Sequence, residues 1–127
     1  ILFIDNYDEL SQGMDDQVRS NLNSLVTSLI NRWGTDNGIF VKRISSDRFM
    51  AVFNESILKQ LEETKFTVLD DIREVTAKDN MALTLSIGVG AGSASLIELG
   101  AMAQSGLDLV LGRGGDQVAI KHPSGKV

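Results

Sequence analysis

Four consecutive side chains, Ser45, Ser46, Asp47 and Arg48, place two hydroxyls, a carboxylate and a guanidinium in one short connection between the apolar stretches GIFVKRI and RFMAVF. That set reads in two ways, as ligands for a phosphate or a metal ion, or as a solvated turn with an ordinary surface charge pair. Asp5 closes the apolar run ILFI and reads as a turn residue or as a second carboxylate ligand. The stretch GRGGD at residues 112–116 offers backbone N–H groups and the Arg113 guanidinium, either as a phosphate nest or as a plain chain reversal. Its spacing is not that of a P-loop. His122 is the only histidine and cysteine is absent, which excludes disulfides and thiolate metal sites and argues against Ser–His or zinc chemistry.

These residues need a frame, and the apolar pattern supplies one. The 127 residues suffice for one domain with a real core. A net charge of -5 argues against nucleic acid as a partner, because polyanions select basic faces. The apolar runs fall far short of the roughly 20 residues that span a bilayer, so no direct membrane insertion is expected and the domain itself should be soluble. The chain opens on ILFID without an initiator Met, which leads us to expect a start inside a longer polypeptide.

ILFI reads as a strand buried on both faces. Val18, Leu22, Leu25, Val26, Leu29, Ile30 and Trp33 form one stripe of an amphipathic helix, with Gly34 as its stop. Residues 38–44 and 48–53 read as an antiparallel hairpin closed at Ser45–Asp47. A second helix is expected from an Asn54 N-cap through Ile57, Leu61, Val68, Ile72 and Val75. The alternation of Leu83, Leu85, Ile87 and Val89 within residues 81–92 marks a strand. Ser95 and Glu98 form a capping box for a third helix running to about Val110, and QVAIK closes the chain as a short strand.

The first six elements spell β-α-β-β-α-β, an α+β sandwich with a ferredoxin-like core. In that arrangement the hairpin tip lies beside the exit of the first strand, bringing IDNYDE and SSDR together.

This order resembles the GGDEF domain of bacterial diguanylate cyclases. FIDNYDEL follows D-x-D-x-F-K-x-I, RISSDRF follows R-x-G-G-D/E-E-F, SIGVG follows S-I-G-x-A, and the tail from Ala103 to Val118 follows A-D-x-A-L-Y-x-A-K-x-x-G-R-N. The departures concern the cyclase chemistry. Phe3 stands where the family has its first metal-binding Asp, Ser11 and Ser20 fall at or near its guanine contacts, and Ser45 and Ser46 replace both glycines. Arg48 replaces the acid after the metal carboxylate. The phosphate-gripping Lys falls at Gly112 with Arg113 beside it, the Arg falls at Asp116, and TDNG occupies the place of the inhibitory R-x-x-D. Serine side chains fill space that paired glycines leave open to a nucleotide, and Phe3 cannot hold Mg²⁺, so the resemblance does not extend to cyclase activity.

SSDRF with the tail LGRGGDQVAIK resembles more specifically the modified GGDEF domain of the GdpP (YybT) family, membrane-anchored cyclic-di-AMP phosphodiesterases of Gram-positive bacteria. The resemblance implies a degenerate GGDEF domain over residues 1–120, a linker beginning at 121–127, and PAS and DHH/DHHA1 domains in the same polypeptide on the cytoplasmic side of the membrane. It implies that this domain binds ATP or a related nucleotide and regulates a phosphodiesterase whose catalytic module lies elsewhere. As an enzyme the domain would be at most a weak, Mg²⁺-dependent ATPase. The residues carried over are Asp47 as the catalytic position, Asp5, Ser45, Ser46, Arg48 and Arg113 for nucleotide, and Asp5 with Asp47 for metal. The alternative is a catalytically inert dimerisation and relay module, with a homodimer as its assembly.

Overall fold

A computed structural model describes residues 1–64, 66–78, 83–92 and 95–122. The elements in order are β1 (Leu2–Asp5), α1 (Tyr7–Gln12), α2 (Asp16–Asn37), β2 (Phe40–Ser45), β3 (Arg48–Val52), α3 (Glu55–Glu63), α4 (Val68–Lys78), β4 (Thr84–Gly90), α5 (Leu96–Gly112) and β5 (Val118–Lys121). Five strands form one sheet in the order β2-β3-β1-β4-β5. The β2–β3, β3–β1 and β1–β4 pairs are antiparallel, and β5 joins parallel to β4. The ferredoxin-like core is therefore present, extended by β5 and its preceding helix. Of the linker expected from residue 121, Lys121 pairs in the sheet with Gly90, and residues 123–127 lie outside the described part.

Strand alternation sorts the side chains into two layers. Leu2 and Ile4 of β1, Phe49 of β3, and Leu85, Ile87 and Val89 of β4 enter one core with Leu22, Val26, Ile30, Leu58, Leu61, Val68 and Ile72 from α2, α3 and α4. The residues between them face α5. A Cβ on Gly88 would sit 2.1 Å from the Ala103 carbonyl oxygen, so α5 lies directly on the backbone of β4. Ala103, Leu107, Val110 and Ala119 are buried in this second layer. Because α5 rests on β4 and β5, the matching face of the hairpin stays open, with Phe40, Ile44, Met50 and Val52 exposed.

The element boundaries correct the sequence reading in three places. Gly34 does not end α2, which runs on to Asn37 and stops at Gly38, whose φ of 70° the glycine adopts without steric cost. Gly34 instead permits close packing, since a Cβ there would lie 2.7 Å from Val41 Cγ2. The helix expected from Asn54 to Val75 is two helices. Asn54 does cap the first, accepting from the Ile57 N–H at 2.9 Å, but Phe66 takes a φ of 50° between α3 and α4 with its ring buried. The apolar period continues across the break because both helices bury onto the same core. Finally, a short helix, α1, follows β1 directly, entered through Asn6 at φ 61°, a conformation Asn tolerates. The Ser95 cap stands, its hydroxyl accepting from the Glu98 N–H at 3.3 Å.

Candidate functional site

The hairpin turn consists of Ser46 and Asp47, and neither residue takes a positive φ. Two-residue hairpin loops ordinarily require that conformation, which is why glycine dominates them. Here the pairing register shifts between Arg43 and Ser45, and that irregularity lets two serines and an aspartate close the turn. The Ser45 hydroxyl donates to Asp47 Oδ1 at 3.0 Å. The Ile4 N–H donates to the Asp47 carbonyl at 2.8 Å, which fixes the turn against the end of β1. An open cleft of about 420 Å³ beside the turn is lined by Asn23, Arg43, Ile44, Ser45 and Ser46.

IDNYDE and SSDR thus meet as the topology requires, but the Asp5 carboxylate is engaged elsewhere. Asp5 is 8% exposed, and its oxygens accept from the Thr84 hydroxyl at 2.7 Å, the Ser86 hydroxyl at 2.8 and 2.9 Å, and the Asp116 N–H at 3.1 Å. Three donors, two hydroxyls and one N–H, thus engage the carboxylate and take up most of its roughly four lone-pair sites. Asp5, expected as a metal ligand, here fastens β1 to β4 and to the loop after α5.

That loop resolves the two readings of GRGGD in favour of chain reversal. The N–H groups of Arg113 and Gly115 bond to the Val110 carbonyl at 3.0 Å each, and that of Gly114 to Leu111 at 3.2 Å. The Asp116 N–H is shared between Asp5 and the Ser86 hydroxyl, the latter at 3.0 Å. With its donors consumed by the helix end and by Asp5, the loop is not a nest awaiting an anion. Asp116 instead pairs with Arg73 of α4 at 2.9 Å, and this hydrogen bond raises the Arg73 pKa above its ordinary value. The Arg113 side chain is exposed where α5 ends.

Phe3 and Arg48, two of the positions that depart from the cyclase pattern, are direct cross-strand partners. The Arg48 guanidinium lies over the Phe3 ring, 5.5 Å from its centroid, and donates to Gln104 Oε1 of α5 at 2.8 Å. Where the cyclase pattern has two acids, this chain has a cation resting on an aromatic face. The exchange is mutually consistent, since either substitution alone would leave a poor neighbour. Asp47 is then the one carboxylate of the expected metal pair whose charge is still presented at the turn. Among the described residues, no group of three or more His, Cys, Asp or Glu side chains could hold a metal ion.

Sequence reasoning missed Asn23 and Thr27, which accept from Arg43, Tyr7, which donates to Asn23, and Gln104, which holds Arg48. Their partners lie 16 to 56 residues away, so no local pattern marks them. A second cleft, about 320 Å³, opens between the later turns of α2 and α4 near Arg32, Asp36, Asp71 and Glu74, away from the turn.

Comparison with known proteins agrees with this geometry. The family model described as "Cyclic-di-AMP phosphodiesterase GdpP-like, GGDEF domain" matches residues 2–127. Over 127 residues the chain is 67% identical to the cyclic-di-AMP phosphodiesterase GdpP of Geobacillus thermodenitrificans, and over 126 residues it is 64% identical to GdpP of Bacillus subtilis. It is 60% identical over 127 residues to the cyclic-di-AMP phosphodiesterase PdeA of Listeria monocytogenes. All or nearly all of the chain is covered in each comparison, but only 19% of the length of each relative. Among solved structures, the active GGEEF domain of a diguanylate cyclase from Vibrio cholerae superposes with a TM-score of 0.71 at 18% identity, covering 94% of this chain and 78% of that one. The GGDEF domain of DgcB from Caulobacter crescentus, solved with c-di-GMP, gives 0.66 at 19% identity, covering 94% and 74%. Among the described residues no helix is long and apolar enough to cross a membrane. The chain belongs to the GGDEF-domain family of GdpP-like cyclic-di-AMP phosphodiesterases.

Proposed function

We propose that this chain is a regulatory nucleotide-binding domain, with ATP as its ligand and slow hydrolysis as the residual chemistry of an altered site, and that it is not a diguanylate cyclase. The observation that carries the second half is the Phe3–Arg48 contact, which puts a guanidinium on an aromatic ring where cyclase chemistry needs paired acids. Support for the first half comes from the turn, where Ser45 and Ser46 line an open cleft and Asp47 follows them, its carbonyl bonded to the Ile4 N–H of the sheet.

Asp47 is the residue that would hold Mg²⁺, an ion that commonly binds through one or two carboxylates together with the phosphates of its nucleotide. The ion would supply neutralisation of phosphate charge. In this reading Arg113 approaches the phosphates from the end of α5, and Ser45, Ser46 and Arg48 line the approach. Asp5 contributes by shaping the loop beside the site. The phosphodiesterase module, a PAS sensor and a membrane anchor belong to the longer polypeptide, on its cytoplasmic side. Nucleotide at this domain would bias that module if it binds one conformation better than another.

Asp47→Ala is expected to abolish ATP hydrolysis by the purified domain while leaving its melting temperature within a few degrees of the parent, because among the described residues the side chain bonds only to the neighbouring Ser45 hydroxyl. Steady-state phosphate release tests this; undiminished turnover in the variant would remove Asp47 from the chemistry.

The open hairpin face favours a second reading, an inert dimerisation and relay module. Phe40 is 63% exposed on a sheet face shared with Ile44, Met50 and Val52, and such a surface suits a second copy of the chain. A monomer in sedimentation at high concentration, together with saturable ATP binding, would decide for the first reading.

A further inference from the structure

Arg43 has no assigned role, yet it is the most heavily bonded side chain at the hairpin end. A guanidinium carries five N–H donors, and in Arg43 each has an acceptor. Nε donates to the Ser45 carbonyl at 3.2 Å. Nη1 donates to the Asn23 carbonyl at 3.4 Å and to the Thr27 hydroxyl at 2.8 Å. Nη2 donates to Asn23 Oδ1 at 3.2 Å and to the Ser46 carbonyl. Its flat face lies over the buried Phe49 ring, 5.1 Å from the centroid.

Two consequences follow from that saturation. Arg43 has no donor left for a phosphate, so although it lines the cleft it is not itself a nucleotide ligand. Its bonds to the carbonyls of Ser45, the last residue of β2, and Ser46, the first of the turn, also fix the backbone of a turn that has no glycine and no positive φ. The same Asn23 Oδ1 accepts from the Tyr7 hydroxyl, and Tyr7 is buried in α1, directly after β1. A continuous polar chain therefore runs from the exit of β1, through Asn23 on α2, to Arg43 and the turn.

We propose that Arg43 is the positioning residue of the turn and Asn23 the relay that couples it to the exit of β1, so that residues 45–48 are held in their ligand-ready shape before any ligand arrives. The functional side of this inference rests on the nucleotide-site reading, but the positioning itself does not. Lysine cannot substitute, because three donors on one tetrahedral nitrogen cannot span acceptors that a planar fork reaches.

The test compares Arg43→Lys, Asn23→Ala and Tyr7→Phe with the parent domain by amide hydrogen exchange and amide shifts without ligand, then by ATP titration. In Arg43→Lys, exchange at residues 45–48 should quicken about tenfold, the loss expected from breaking a charge-assisted hydrogen bond, and ATP affinity should fall by a similar factor, while core amides of β1 and β4 keep their protection. Asn23→Ala should move resonances at both Tyr7 and the turn. Should Arg43→Lys unfold, Tyr7→Phe, which removes one hydroxyl at the far end of the chain, should still shift the 45–48 amides. An unchanged turn in Arg43→Lys, or in Tyr7→Phe where that arm is used, overturns the proposal. If the parent domain binds no ATP, the nucleotide reading fails while the ligand-free exchange still decides the role of Arg43.

Discussion

Gly88→Ala is expected to destabilise the domain by at least about 3 kcal/mol, at or beyond the upper end of the usual cost of overpacking. The added Cβ would lie 2.1 Å from the Ala103 carbonyl oxygen, 2.4 Å from the Leu107 nitrogen and 2.9 Å from the Leu107 Cα. These are backbone atoms, so no rotamer change relieves the overlap, and α5 as a whole must move off the sheet. That movement opens the layer formed by Ala103, Leu107 and Val110 and withdraws the loop that Asp5 holds. Against a total stability of roughly 5–15 kcal/mol for a domain of this kind, the loss should be visible as a much lower thermal midpoint. Gly100 provides the internal control, because a Cβ there meets nothing within 4 Å among the described residues. Gly100→Ala should raise stability by about 0.5–1 kcal/mol through helix propensity alone. Circular-dichroism melts of the two variants should therefore move in opposite directions, and a Gly88→Ala midpoint equal to the parent would contradict the packing described for α5.

Asp5→Ala is the second large effect, expected at about 2–4 kcal/mol, because it removes at once the acceptor of three buried or partly buried donors, of which only the Asp116 N–H keeps a second partner, the Ser86 hydroxyl. The Thr84 hydroxyl, the Ser86 hydroxyl and the Asp116 N–H all lose an acceptor in one step. Asp5→Asn should lose less, since it keeps the shape and one acceptor oxygen while presenting an amide to the remaining donors. Urea unfolding in buffer containing a metal chelator separates the fastener from a metal ligand. A fastener predicts the full loss without any metal, whereas a residue present for metal binding alone would show parent-like stability there.

Much of the frame is legible because it rests on period and punctuation. The alternation of Leu85, Ile87 and Val89, the Asn54 and Ser95 caps and the short connection after Ser45 each specify an element, and their order gives the β-α-β-β-α-β core. Glycines were harder to place, because one residue type serves two purposes. Gly34 admits the Val41 side chain within a helix, while Gly38 takes the left-handed conformation that ends it. The break at Phe66 leaves no trace in the apolar period, because both flanking helices face the same core.

At the site, the meeting of the β1 exit with the hairpin followed from topology, but the use of each side chain did not. Asp5 looked like a ligand because an acid ends a strand beside another acid. Its partners Thr84, Ser86 and Asp116 lie 79 to 111 residues away, and only the folded sheet shows that they engage its carboxylate. Phe3 and Arg48 read as two separate losses until their pairing across β1 and β3 showed one compensated exchange. Arg43 was visible in the pattern at the head of RISSDRF, but its function depends on Asn23 and Thr27 from another element.

The most direct test of a nucleotide site at the hairpin end is an amide-shift titration of the domain with ATP and then GTP, each with and without Mg²⁺. A regulatory ATP site predicts saturable shifts with ATP, concentrated at residues 45–48 and Arg113, and smaller responses to GTP. Spectra that stay flat at millimolar ATP, or shifts scattered away from the turn, would contradict it.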